Sequence, residues 1–236
     1  MISLALRGKT PISEDVLTAA LFDHLRRVAD PALFRAMLHA SHPQPELPSF
    51  EAVEIELWPR TKAGEPDVRV HLREGASTVE TWLIEAKLGA GKSGEGEVAA
   101  DYTSGDQLAR YLIAEAAAHP ARRVSLLYLT HHAGRPDEDL AASAAHLSAH
   151  QGADLAKRLH WLSWCDVEGI LASTRDDPYL GEVRELLRRA GMYRFKGMQL
   201  TPLGELLTTS EWRYGTPYRW TQAPTGPVAV DFYKQK

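Results

Sequence analysis

Two short stretches on either side of Gly75 alternate apolar with polar residues, the period of strands that bury one face. In Asp67-Val68-Arg69-Val70-His71-Leu72 the apolar Val68, Val70 and Leu72 share a face and leave Asp67 on the other. In Trp82-Leu83-Ile84-Glu85-Ala86-Lys87 the residues Trp82, Ile84 and Ala86 share a face, so Glu85 and Lys87 lie together on the opposite side. If the two strands pair through a turn near Gly75, two carboxylates and an ammonium converge on one patch.

These residue types suit one kind of chemistry. Mg²⁺, or Mn²⁺ in its place, prefers oxygen ligands and keeps several waters, so two carboxylates and a backbone carbonyl hold it while leaving room for a phosphate oxygen. Such a cation offsets charge on a phosphorane-like transition state and lowers the pKa of an attacking water. Asp67 and Glu85 are the expected ligands, and the Ala86 carbonyl completes the protein side. Lys87, on the face of Glu85, is placed to orient the water; a depressed pKa would also let it act as a base. Downstream, Gln107-Leu108-Ala109-Arg110-Tyr111 sets Gln107 and Tyr111 one helical turn apart.

Pro66-Asp67, Glu85-Ala86-Lys87 and Gln107-x-x-x-Tyr111, in that order, resemble the PD-(D/E)XK nuclease superfamily and the Gln-x-x-x-Tyr motif of its RecB-like branch. The resemblance spans roughly residues 10 to 130. It implies a restriction-endonuclease-like α/β core, a central mixed sheet flanked by helices, and metal-dependent hydrolysis of nucleic-acid phosphodiesters, DNA rather than RNA. Gln107 would assist in placing water or phosphate, with Tyr111 packed beside it. Glu14 stands where such proteins often carry an acidic residue on the first helix, as a ligand through water. The glycine that often precedes that position by four residues is Thr10 in this chain.

The 236 residues suit one substantial domain with an extension, and 44% hydrophobic with 25% charged residues is ordinary for a soluble globular protein. A formal charge of −4 argues against binding dominated by nonspecific phosphate contacts. Local basic groups such as Arg122-Arg123, Arg188-Arg189 and Arg194 with Lys196 are the candidates for offsetting it. The single cysteine, Cys165, excludes an internal disulfide and a cysteine-ligated zinc or iron–sulfur centre. The opening Met1-Ile2-Ser3-Leu4-Ala5-Leu6 is too short and lacks the basic lead of a secretion signal, and no stretch approaches a membrane span, so a cytoplasmic protein is expected.

The expected order is a helix from about 13 to 28, a helix over 33–40, strands over 51–58, 67–73 and 79–87, a helix over 104–118 and a strand over 123–130. A helix over 137–150, a strand over 159–164 and helices over 166–173 and 179–190 follow. Residues 1–175 form the nuclease-like core, and 176–236 a helical and aromatic C-terminal extension packed on the core or a partner subunit. Its Trp212, Tyr214, Tyr218, Trp220, Phe232 and Tyr233 make it the candidate for joining two copies in a homodimer, or for docking into a larger complex. The glycine-rich 89–97 segment is expected to be a flap over the substrate.

Two rivals arise from the same residues. Ala86-Lys87-Leu88-Gly89-Ala90-Gly91-Lys92-Ser93 fits a relaxed phosphate-binding loop after a strand, but Ala86 replaces its first glycine, and Glu95 and Glu97 crowd the place of a triphosphate. The next strand also lacks a terminal Asp to handle Mg²⁺. The second rival is a nuclease-like module kept for nucleic-acid binding or assembly without cutting, against which the intact Asp67, Glu85 and Lys87 set argues. His131-His132 lacks a spaced partner and reads as a polar strand end.

Overall fold

In the computed structural model, β3 (Ser77–Lys87) runs through the centre of a five-stranded sheet ordered β1-β2-β3-β4-β5. Residues 2–8, 10–28, 31–89, 105–151, 153–174 and 177–194 are described. The strands β1 (Ala52–Leu57), β2 (Val68–Glu74) and β3 form an antiparallel meander, whereas β4 (Arg123–Thr130) and β5 (Leu159–Ser163) add in parallel. Parallel neighbours require crossovers. Helix α4 (Gln107–Ala118) lies in the connection from β3 to β4, and α5 (Asp137–Gln151) with the short α6 (Ala153–Ala156) in that from β4 to β5.

The alternation along β3 decides which helices cover which face. Trp82, Ile84 and Ala86 are fully buried in a core with Val68, Val70 and Leu72, under α2 (Glu14–Val28), α3 (Pro31–Ala40), α7 (Trp164–Ser173) and α8 (Pro178–Arg189). Leu83 points the other way, into a second core with Leu126, Tyr128 and Trp161, under α4 and α5. The result is an α/β protein with a mixed open sheet between helices, as the periodicity predicts. The short N-terminal α1 (Ile2–Leu6) is an element the sequence did not announce; Ile2 and Ala5 pack in the first core.

Capping fixes several helix starts. The Ser13 hydroxyl accepts from the Val16 N–H at 3.3 Å, Asp106 caps α4 through the Ala109 N–H at 2.9 Å, and Ser163 caps α7 through the Cys165 N–H at 3.1 Å. Because Ser163 is a cap, β5 ends there and Trp164 opens the helix, earlier than its apolar sequence suggests. Asp177 caps α8 with Pro178 at its first turn. Leu180, Val183, Leu186 and Leu187 of α8 are buried in the first core, and the compact unit carrying it runs from Met1 to Phe195. The flap expected over 89–97 falls outside the described residues from 90 onward, and the aromatic tail falls wholly outside them.

The hairpin joining β2 to β3 turns at Gly75, whose φ of 55° is the left-handed conformation that glycine adopts without strain. Glu74 pairs with Ser77 and Arg73 with Thr78, but Leu72 pairs with Glu80, so Val79 is one extra residue in β3. That bulge sets the site. Without it Asp67 would stand opposite Ile84, on the wrong face; with it Val68 pairs Ile84 and Asp67 comes level with Glu85.

Candidate active site

Asp67 ends the loop into β2, and its carboxylate accepts the Ala86 N–H at 2.7 Å, which ties the two strands at the residue between Glu85 and Lys87. Ala86 turns its side chain into the first core, fully buried, leaving its neighbours on the opposite face. Glu85 is 2% exposed, and one of its oxygens accepts from Lys87 Nζ at 2.6 Å and from Gln107 Nε2 at 2.8 Å. The other oxygen, Oε2, has no hydrogen-bond partner. A buried carboxylate oxygen without a donor is costly unless something else satisfies it.

Glu14, the first residue of α2, reaches the same strand end. Its carboxylate accepts from Lys87 Nζ at 3.3 Å and from the Leu88 N–H at 2.9 Å. The next residue, Asp15, was not read as functional, yet Glu14, Asp15 and Asp67 offer carboxylate oxygens that lie within 4.8 Å of one another. Among the described residues this is the one group of three side chains spaced to hold a metal ion. Glu85 lies outside it, held by Lys87 and Gln107. A signal for Asp15 existed in its place beside Glu14 in a first turn, but adjacent helical residues diverge by about 100° and usually face different ways.

On α4, Gln107 Nε2 also reaches the Tyr111 hydroxyl at 3.2 Å, and that hydroxyl donates to the Glu65 carbonyl at 3.3 Å. A hydrogen-bonded chain thus runs from Glu85 through Gln107 and Tyr111 to the loop that delivers Asp67. Gly64 makes this approach possible. Its φ is 126°, and a Cβ there would stand 3.0 Å from Tyr111 Cε1.

The electrostatics of the patch follow from too many acids in too little water. Burial, then the nearby Glu14 and Asp15, outweigh the Ala86 N–H and Lys87 and push Asp67 up to about 6. Burial and the Asp67 charge push Glu85 up to about 8, despite the opposing pull of Lys87. Burial works to lower the Lys87 ammonium, but the charges of Glu85, Glu14 and Asp67 win and hold it above its ordinary value. Lys87 is therefore a fixed cation in this state, the reverse of the depressed lysine a general base requires. Burial also raises Tyr111, keeping it a neutral donor.

The donor set fits a hard divalent cation. Four carboxylates from Glu14, Asp15, Asp67 and Glu85 stand on one patch, with one unpartnered buried oxygen and two acids raised by mutual repulsion, conditions that a bound cation relieves. Lys87 does not fit the phosphate-loop reading where that segment is described, because its ammonium is engaged by Glu85 and Glu14. His131 and His132 close β4 with ring centroids 4.1 Å apart and join no metal-competent group among the described residues. Cys165 is buried and free.

The basic pairs offered as phosphate contacts are mostly occupied. Arg123 lies 3.2 Å from the buried Glu80, Arg188 and Arg184 flank Glu168, Arg189 pairs with Glu185, and Arg194 with Asp166. Lys196 falls outside the described residues. Among them no helix is long and apolar enough to cross a membrane. The chain matches no protein-family model, no curated protein and no solved structure.

Proposed function

We propose that this chain is a Mg²⁺- or Mn²⁺-dependent nuclease of the restriction-endonuclease-like type, hydrolysing phosphodiester bonds of DNA. One observation carries the reading. Asp67, Glu85 and Lys87 meet at the end of the β2–β3 hairpin, facing α4 and joined by Glu14, with a carboxylate oxygen of Glu85 left without a donor.

Asp67 and Glu85, with Glu14 and Asp15 beside them, are the residues that would hold the metal. When bound, it supplies charge neutralisation at a phosphate oxygen and acidifies water. The chain's own groups do the rest. Lys87, held protonated, donates a hydrogen bond that orients the attacking water and stabilises negative charge developing on the phosphate. Gln107 fixes the orientation of Glu85, and Tyr111 fixes Gln107 and the loop before Asp67. Water oxygen bonds to phosphorus as the bridging P–O bond breaks, leaving two strand ends.

The test is incubation with linear, circular and branched DNA, and with RNA, in Mg²⁺, Mn²⁺ or EDTA. Cleavage of DNA that EDTA abolishes supports the reading. DNA binding without cleavage in either metal would favour a noncutting module instead.

A further inference from the structure

The loop between β1 and β2 combines three features that the hydrolytic role of the site leaves unused. Trp58, which opens it, has φ 50°, and it is the one non-glycine residue with positive φ among the described residues. A bulky aromatic side chain in that conformation is strained and persists only where its surroundings enforce it. The enforcing contact is the Trp58 N–H, which donates to the Asp67 carbonyl at 2.8 Å. The strained residue is thus tied by its backbone to the acid at the centre of the site.

The side chain is not buried in return. Trp58 is 37% exposed, one of three large hydrophobic residues so exposed among those described, and it shares an open groove with Val16 and Ala19, just beyond Glu14 and Asp15 on α2. Beyond it, Arg60 is 93% exposed and paired only loosely with the half-exposed Glu65 at 3.6 Å, and Lys62 is exposed. The loop carrying them is held firmly at its far end. Thr61 and Gly64 bridge to each other, Arg110 Nε donates to the Ala63 carbonyl at 3.0 Å, and Tyr111 holds the Glu65 carbonyl. An exposed aromatic ring and two exposed cations therefore sit on a fastened loop beside Asp67, while the other basic pairs are engaged with acids.

We propose that this loop is the nucleic-acid-contacting element of the site, with Trp58 stacking on an unpaired base and Arg60 and Lys62 contacting its flanking phosphates. The inference rests on the nuclease reading and narrows it, since a stacking ring needs a base outside a duplex: the substrate is single-stranded DNA or DNA with a single-stranded arm. The loop positions that strand, and the acid patch cuts it.

The closing experiment measures binding of a fluorescent single-stranded oligonucleotide and a matched duplex by anisotropy, with Ca²⁺ in place of Mg²⁺, for the wild type, Trp58→Gly, Trp58→Phe and the Arg60→Ala/Lys62→Ala double variant. Glycine adopts the φ of Trp58 freely, so Trp58→Gly keeps or raises thermal stability while removing the ring. Its single-strand affinity should fall about tenfold or more, with Trp58→Phe recovering much of it. The double variant should flatten the dependence of log affinity on log salt by about one. Equal binding of the oligonucleotide by wild type and Trp58→Gly would overturn the proposal, as would a wild-type preference for the duplex. Single-strand binding lost in Trp58→Gly, in a protein that never cleaves, would uphold the loop while defeating the nuclease reading.

Discussion

Loading the site with Mg²⁺ at pH 7 should expel about one proton per protein molecule, because metal and proton compete for the same oxygens. With Asp67 raised to about 6, about a tenth of its carboxyls are protonated at that pH; with Glu85 raised to about 8, about nine-tenths are. Both must ionise to ligate, so the sum is close to one, and the apparent affinity should rise about tenfold per pH unit near neutrality. Release should approach two protons near pH 5 and vanish above about pH 9. Calorimetric titration with Mg²⁺ in phosphate and in Tris at pH 7 reads the number directly, from the change in apparent enthalpy against the buffers' ionisation enthalpies. In Glu85→Gln the released proton should fall to about a tenth. Identical enthalpies in both buffers would show that the carboxyls are already ionised and would refute the desolvated, mutually repelling patch.

The same shifts set the pH dependence of the metal-free fold. Both acids are raised on folding, so their contribution to stability is fully present below their ordinary pKa values and is lost as pH rises through about 6 and then about 8. The melting temperature without metal should fall over that window, and Mg²⁺ should restore it most at the alkaline end. Lys87→Ala should keep Mn²⁺ binding by calorimetry while cleavage falls about a hundredfold or more, whereas Asp67→Ala should lose both. Ca²⁺, larger and less strict in geometry, should bind the wild type without supporting turnover. Gly64→Ala should cost about 1–3 kcal/mol in urea unfolding, because its Cβ meets Tyr111 at 3.0 Å and its φ of 126° disfavours any side chain. An unchanged midpoint would mean that the loop gives way freely.

What was legible in the sequence was periodicity. Strand alternation placed Trp82, Ile84 and Ala86 in one core and turned Glu85 and Lys87 away from it, and the helical spacing of Gln107 and Tyr111 put both toward β3. The bulge at Val79 was not legible, because nothing local marks which residue of a hairpin is left over, yet it alone decides that Asp67 comes level with Glu85. Asp15 escaped notice because its approach to Asp67 depends on how α2 lies across the sheet, a tertiary matter. The basic pairs misled for a similar reason. Arg123 and Arg188 look free in sequence, but Glu80 and Glu168, far along the chain, are their partners. Composition could not show that the exposed cations near the site are Arg60 and Lys62, carried on a loop that Arg110 and Tyr111 fasten.

The most direct measurement of the central claim is cleavage of end-labelled DNA by wild type, Asp67→Ala and Lys87→Ala, purified identically and assayed side by side in Mg²⁺ and in EDTA. Cutting by the wild type in Mg²⁺ alone, with both variants silent and still folded by circular dichroism, is the expected result. Equal cutting by all three proteins, or none by the wild type in Mg²⁺ or Mn²⁺ on any substrate, would contradict it.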